Sequence, residues 1–289
     1  MSSSTAGKSI IMVGGPNVGK SHYTFQLYGR LSSKTCGLKL RAMPNQELFQ
    51  EGLDRLNRGL AAKHTSTAQY DNADLLLTDD EGNDFDLLWP DYGGEQISQM
   101  LATRGVDEAW QSRLMSAHGI LLFIRPDTIL DFKNIVDQPI ELELKSRDEK
   151  KSESTDCRLT LETQVGLVEL LQILLFAGQL NRVTRLSSPK LTILMTCWDE
   201  IINPSGTPAK VLQGRLPLLH QFITSNWRED SVNVYGLSAL GRSLDKKKPD
   251  PEFAKLGPSS QGYVVGTEGK QTEDLTVVLS QLLKPSDAN

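Results

Sequence analysis

The sequence is poor in the residues that define several classes of protein. It has only three cysteines, and no two of them form a C-x-x-C pair. This argues against a disulfide framework and against a cysteine-ligated zinc site, and it suits a reducing cytoplasm. No long apolar run is uninterrupted, because polar residues divide the most apolar stretch, residues 165–180. We therefore expect a buried helix there and no membrane span.

The sequence also lacks an excess of positive charge. The net charge is −5, which gives no general attraction to nucleic acid. The lysine run at residues 246–248 is short and lies between acidic residues, and we interpret it as a solvated loop. We therefore expect no nucleic-acid partner.

What remains is a globular composition, with 38% hydrophobic and 23% charged residues. Short β-prone runs alternate with helical segments, which is typical of an α/β domain with a mostly parallel sheet. We expect a three-layer fold with six strands, one of them an antiparallel hairpin strand. Residues 1–8 are predicted to be a flexible N-terminus and residues 9–289 a single domain, with a polar insertion around residues 137–160.

The most informative stretch is Gly-Gly-Pro-Asn-Val-Gly-Lys-Ser, which matches the phosphate-binding loop pattern G-x-x-x-x-G-K-[ST]. A β-prone run precedes it and a predicted helix follows it, as the motif requires, so we expect a P-loop NTPase fold. Lys20 is expected to reach the β- and γ-phosphates, and the Ser21 hydroxyl to bind Mg²⁺. The predicted nucleotide-binding residues of this stretch are Gly14, Gly15, Pro16, Asn17, Val18, Gly19, Lys20, Ser21 and His22.

Three further motifs come at the ends of predicted strands. Asp-Tyr-Gly-Gly occupies residues 91–94, Thr-Cys-Trp-Asp residues 196–199, and Ser-Ala-Leu residues 238–240. Ligands of open α/β sheets bind at the carboxyl ends of the strands, so these motifs are expected to lie near the phosphate loop. The polar, threonine-bearing segment 61–72 is predicted to be a mobile loop.

This order of motifs resembles that of the Ras-like, translation-factor-related (TRAFAC-class) GTPases, over roughly residues 9–283. The long segment before the Asp-Tyr-Gly-Gly-Glu motif is similar to the double-GTPase families of bacterial conflict systems. The resemblance implies a cytoplasmic, bacterial GTPase that binds Mg²⁺·GTP, hydrolyses it to GDP and phosphate, and changes the conformation of residues 61–72 and 91–106. It also implies a separate effector protein as partner, with a homodimer as an open alternative.

The resemblance assigns roles around the γ-phosphate. Asp91 would hold Mg²⁺ through water, and the Gly94 N–H would contact the γ-phosphate. Thr65 or Thr67 would close over the Mg²⁺, and Thr67 has the better distance to the next strand. Glu95 stands where related proteins often carry a water-orienting glutamine; it would orient water, act as a base, or lie on the surface of the following helix.

The resemblance also assigns the residues that read the base. Asp199, in the motif that begins at Thr196, would accept hydrogen bonds from N1 and N2 of guanine. Ser238 and Ala239 would turn a backbone N–H toward guanine O6. The family usually has a lysine where Cys197 stands, so guanine against adenine stays open, and Asp199 as a plain helix cap is the alternative.

Some members with Pro-Asn in the phosphate loop use the asparagine to help bind K⁺ in place of an arginine finger. That role for Asn17 is a hypothesis. No arginine is identifiable as a finger, since Arg104, Arg113 and Arg125 are assigned to the surface or to strand ends. Three alternatives stay open: a nucleotide-gated binding module with little or no hydrolysis, an ATP-using P-loop protein, and a structural protein with a vestigial loop.

Overall fold

The computed structural model describes residues 8–34, 36–42, 46–63, 74–88, 94–129, 163–180, 183–201 and 206–283. The strands of the described part are β1 (Lys8–Gly14), β2 (Lys39–Leu40), β3 (Leu75–Thr78), β4 (Asp84–Leu88), β5 (Ala117–Ile124), β6 (Lys190–Thr196), β7 (Val232–Ser238), β8 (Tyr263–Val265) and β9 (Gln271–Thr272). Its α-helices are α1 (Lys20–Ser33), α2 (Gln46–Asn57), α3 (Gly94–Thr103), α4 (Glu108–Ser116), α5 (Gln164–Ala177), α6 (Pro208–Arg215), α7 (Pro217–Asn226), α8 (Pro251–Leu256) and α9 (Val277–Leu283). The predicted insertion, residues 137–160, lies outside the described residues.

All the described strands belong to one sheet, in the order β2-β3-β4-β1-β5-β6-β7-β8-β9. The five central strands, β4, β1, β5, β6 and β7, pair in parallel. The short strands at both edges pair antiparallel. The mostly parallel α/β class is confirmed, whereas the expected six strands are nine in the described part. Strands of two or three residues are too short to show a period in the sequence, which is why β8 and β9 are missed.

The central strands are apolar because the sheet is covered on both faces. Alternate residues of β1 point to opposite sides: Ile10 and Met12 join one hydrophobic core, and Ile11 and Val13 join the other. The helices α1, α2 and α9 cover the first core, and α3 to α7 cover the second. The result is the predicted three-layer arrangement.

Local sequence signals set where helices begin and stop. The Thr163 side chain accepts a hydrogen bond from the Gly166 N–H and caps α5. The helices α6 and α7 are separated at Leu216 because Pro217 has no N–H to continue α6. Within the described ranges, no helix has the length and apolarity that crossing a membrane requires.

The register of the parallel strands brings their carboxyl ends to one edge. Gly14 of β1 lies opposite Phe123 of β5, and Thr196 of β6 lies opposite Leu237 of β7. The phosphate-loop motif, the Thr-Cys-Trp-Asp motif and the Ser-Ala-Leu motif therefore leave the sheet side by side. This is the arrangement expected of a ligand site in an open α/β sheet.

Candidate functional site

The phosphate-loop motif forms a turn between β1 and α1. Asn17 and Gly19 have left-handed backbone conformations, with φ of 59° and 85°. Left-handed residues within a tight turn direct successive N–H groups to one side and make a concave site for an anion. The loop leads directly into α1, which adds the N-terminal end of a helix dipole.

Gly14 is required by the neighbouring strand. A Cβ atom at this position would lie 2.8 Å from the carbonyl oxygen and 2.9 Å from the Cβ of Phe123. Since Phe123 is fully buried, it has no room to move away. The first glycine of the motif thus lets the loop start directly on top of β5.

Lys20 lies across the loop. Its Nζ donates hydrogen bonds to the carbonyl oxygens of Gly14, at 2.7 Å, and Gly15, at 2.6 Å. These contacts hold the ammonium beside the concave face of the loop, where a phosphate would bind. That Lys20 binds the β- and γ-phosphates stays a prediction.

The two residues after Lys20 face the same cleft. Ser21 lines it with its side chain half-buried. The Nε2 atom of His22 accepts a hydrogen bond from the Ala62 N–H at 3.0 Å. Burial, helped by the charge of Lys246, lowers the pKa of His22 to about 4, so the ring is neutral at pH 7. His22 therefore connects the first turn of α1 to the beginning of the predicted switch segment.

The second motif forms a sharp turn after β6. The Thr196 hydroxyl donates to the Ile124 carbonyl at 3.0 Å and ties β6 to β5. Cys197 has a left-handed φ of 52°. Burial raises the pKa of the Cys197 thiol to about 12, against the opposing effect of the Arg125 charge, so the thiol is neutral.

Trp198 holds the turn after β6 in place by packing against β7. It is buried, and a Cβ atom on Gly236 of β7 would lie only 2.4 Å from its ring. The absence of a side chain on β7 therefore makes the space in which the indole packs. Because Asp199 is the next residue, this packing determines where its carboxylate lies.

Asp199 and Ser238 are joined by a hydrogen bond. The Ser238 hydroxyl donates to Oδ1 of Asp199 and accepts a hydrogen bond from the Gly241 N–H at 2.9 Å. The hydroxyl is thus used to orient the carboxylate. Ala239 lines the cleft, and Gly262 supports it, since a Cβ atom there would lie 2.3 Å from the Ala239 carbonyl oxygen.

The two groups of residues border one cleft of about 350 Å³, which lies in the usual range for a small-molecule site. The predicted residues that line it are Pro16, Asn17, Val18, Gly19, Lys20, Ser21, His22, Thr196, Asp199 and Ala239. We name two parts of the cleft after the predicted roles of their residues: the phosphate end, bordered by residues 16–22, and the base end, bordered by residues 196, 197, 199 and 239. The predicted residues Gly14, Gly15 and Ser238 do not border the cleft themselves.

Several residues that line the cleft are missed by the sequence analysis. They are cationic or acidic: Lys63, Arg125, Glu200, Arg242 and Lys246. The lysine run, which we interpret as a solvated loop, is exposed at all three positions, and its first residue, Lys246, also borders the cleft. Their position at the cleft is seen only in the folded structure, because none of them belongs to a sequence motif.

The loop with the lysine run is held against α2. The Asp245 carbonyl accepts from the Ala61 N–H at 2.9 Å, and the Lys246 carbonyl accepts from Arg55 at 2.7 Å. The Asp245 carboxylate accepts from the N–H groups of Lys247 and Lys248. This bonding turns the loop so that Lys246 borders the cleft near His22.

The predicted γ-phosphate residues fall largely outside the described part of the chain. Thr65, Thr67 and Asp91 belong to segments that are not described, as does the side chain of Glu95. Gly94 begins α3. Their roles stay predictions.

The described residues include one of the predicted Mg²⁺ ligands, Ser21. A hydroxyl oxygen suits Mg²⁺, a hard cation that keeps several waters and takes the rest of its shell from phosphates and a few protein oxygens. Across the described residues, no group of three or more His, Cys, Asp or Glu side chains is arranged to hold a metal ion. The donor set at the phosphate end is consistent with a metal that arrives with a nucleotide.

Two solved structures resemble the chain at low sequence identity. A bacterial selenocysteine-specific elongation factor, EF-Sec, is 11% identical with a TM-score of 0.35, and the match covers 81% of this chain and 26% of that chain. The chain thus spans about a quarter of the elongation factor. In the signal recognition particle receptor SRb-GTP/SRX complex from Chaetomium thermophilum, the matching chain is 13% identical with a TM-score of 0.38, with 83% of this chain and 94% of that chain covered.

The family comparison is more decisive. No curated protein sequence matches the chain significantly. The sequence model of Double-GTPase 1 matches residues 11–282, from β1 to α9. The match includes the phosphate loop and both motifs at the base end of the cleft. The expectation of a double-GTPase with a P-loop fold is confirmed, and the chain belongs to the Double-GTPase 1 family.

Proposed function

We propose that the protein is a GTP-hydrolysing switch that binds Mg²⁺·GTP in the cleft between β1, β6 and β7. Family membership supports GTP binding. The observation that carries the proposal is that Lys20, held at 2.6–2.7 Å from two loop carbonyls, and the Asp199 carboxylate, held by Ser238, border the same cleft. A nucleoside triphosphate needs a cation at one end and a base reader at the other.

In this proposal the phosphate loop and Lys20 bind the β- and γ-phosphates. Asp199 accepts the two N–H donors on one edge of guanine, and the Ala239 region supplies a backbone N–H to O6. Ser21, with Thr67 and Asp91, would hold Mg²⁺, which would neutralise charge on the phosphates when it is bound.

Hydrolysis is the attack of water on the γ-phosphorus, with cleavage of its bond to the β–γ bridging oxygen and release of GDP and phosphate. Gly94, through its N–H, would stabilise the γ-phosphate, and Glu95 would orient the water. Asn17 would help to bind K⁺. Loss of the γ-phosphate would release residues 61–72 and 91–106, and a separate effector protein or a second copy would read that change. We place this activity in the bacterial cytoplasm.

Binding and hydrolysis are tested together with the purified protein, Mg²⁺, and either GTP or ATP. We expect tighter binding of GTP than of ATP and release of phosphate from GTP. Bound GTP without phosphate release would replace the enzyme by a nucleotide-gated binding module. Equal affinity for ATP would mean that Asp199 does not read the base.

A further inference from the structure

Arg125 is the most tightly oriented cation of the cleft outside the phosphate loop. It follows β5, and its Nε and Nη2 donate to the same Glu200 oxygen, at 3.1 Å and 2.6 Å. Both side chains are about 30% exposed, at 30% and 28%, and both line the cleft. Glu200 is the residue after Asp199, so the arginine is attached to the turn that carries the base reader.

This attachment fixes the plane of the guanidinium group. A guanidinium group hydrogen-bonds in its plane and stacks through its flat faces on aromatic rings. Because Glu200 binds the Nε–Nη2 edge, the side chain loses little further freedom when a ring packs on its face. The structure thus provides a preorganised flat cation at the base end.

The neighbouring residues do not offer the same surface. Cys197 lies within the same turn, but its side chain is short and its thiol is neutral. Arg242 is paired with Glu252 at 2.7 Å and Asp250 at 3.6 Å, away from the turn after β6. Lys246 acts on His22, at the phosphate end.

We propose that the guanidinium group of Arg125 packs flat on the face of the bound purine while Asp199 binds its edge. The inference rests on the proposed nucleotide site and adds a residue to it. Glu200 is a positioning residue that holds Arg125. Stacking on the ring face does not depend on the substituents of the edge, so Arg125 contributes to affinity and Asp199 to selectivity.

The test measures the affinities of the full chain for GTP and ITP, which share the purine face but differ at the 2-amino group. We expect Arg125→Ala to weaken both by the same factor, about 2- to 30-fold. Arg215→Ala is the matched control, because Arg215 pairs with Asp127 in a partly exposed pair and does not line the cleft. We expect no change for the control.

A double variant distinguishes stacking of Arg125 on the base from a role of Arg125 in supporting the turn after β6. Cys197→Lys in the Arg125→Ala background places a cationic stem in the same turn, at a residue that is already left-handed. We expect it to restore part of the lost affinity for both nucleotides. A loss that Cys197→Lys leaves unrepaired, or an Arg125→Ala protein that binds like Arg215→Ala, would overturn the inference.

The inference and the proposed function fail in different ways. If the wild-type protein binds neither nucleotide and Lys20→Ala changes nothing, the nucleotide site itself is wrong. If the wild type binds GTP, Lys20→Ala abolishes binding and Arg125→Ala has no effect, only the role of Arg125 is wrong. Unfolding temperatures of the nucleotide-free variants confirm that each one is folded.

Discussion

The two ends of the cleft are built in different ways. The predicted phosphate end comes from one stretch, residues 14–22, which turns from β1 into α1 and carries Lys20 hydrogen-bonded to two loop carbonyls. The proposed base end consists of side chains from three strands: Arg125 after β5, Asp199 after β6 and Ser238 at the end of β7. The residues of the phosphate end are consecutive in the sequence. Those of the base end come together only when β5, β6 and β7 pair in their native register.

This difference explains where the chain departs from the expected pattern. The backbone of a phosphate loop leaves little choice, since Gly14 has no space for a Cβ atom and Gly19 needs a positive φ. At the base end, a cation can come from any strand that ends nearby. Cys197 stands where Ras-like GTPases usually have a lysine. The base end is therefore compatible with nucleotide binding if Arg125 supplies the positive charge instead.

The largest effect is expected from the phosphate end. Lys20→Ala removes the cation beside the phosphates, and we expect GTP affinity to fall on the order of 1,000-fold. Lys63→Ala is the matched control, since Lys63 lines the same cleft but pairs with Glu51 at 2.7 Å in an exposed pair. Equilibrium binding of a fluorescent GTP analogue measures both. Similar losses in the two variants would show that the phosphate end works by general charge alone.

A smaller but more specific effect is expected from the base end. Asp199→Asn replaces an acceptor by a donor opposite N1 of guanine, so we expect GTP affinity to fall about 100-fold. Xanthosine triphosphate, with a carbonyl in place of the 2-amino group, should gain affinity. Asp127→Asn, on an acid outside the cleft, should change neither. A uniform loss for both nucleotides would refute base reading.

The sequence is sufficient to predict the fold class and the turn between β1 and α1 that carries the phosphate-loop motif. The motif lies within one turn, and its strand and helix neighbours have strong periodic patterns. The sequence also predicts that the motifs of Asp199 and Ser238 come to one edge of the sheet, because both stand at the carboxyl ends of buried strands. The hydrogen bond between the two side chains is seen only in the structure. What the sequence does not reveal is set by long-range contacts: Arg125 meets Glu200 across 75 positions of the chain, and Lys246 reaches the cleft through hydrogen bonds to α2.

The edge strands illustrate the same limit. β2 and β9 have two residues each, and β8 has three. Such strands are defined by the partner to which they hydrogen-bond and not by their own composition. Likewise, nothing in the sequence distinguishes Gly236 from any other glycine in a strand until Trp198 is seen packed on it.

Gly236→Ala tests whether packing under the turn after β6 determines base reading. The added methyl group would meet the buried Trp198 ring and push the turn, costing about 1–3 kcal/mol of stability and about 10-fold in GTP affinity. ATP affinity should change less, so the preference for GTP over ATP becomes smaller. Gly214→Ala in α6, where a Cβ atom meets nothing within 4 Å, is the control and should leave affinity unchanged. Equal GTP affinity in the two variants would contradict this dependence.

The smallest effect concerns the link from the phosphate end to Ala62. Burial lowers the pKa of His22 to about 4 in the folded protein, whereas the ring in the unfolded chain takes up a proton near the ordinary histidine pKa of about 6.5. Between these values the unfolded state binds more protons, so the free energy of unfolding falls as the pH is lowered. We expect about 1–2 kcal/mol less stability at pH 5 than at pH 7 from this residue. His22→Gln should flatten the pH dependence of the unfolding temperature, while His220→Gln on α7 should keep the wild-type slope. If both variants keep that slope, the burial of His22 beside Ala62 does not cause the pH dependence of stability.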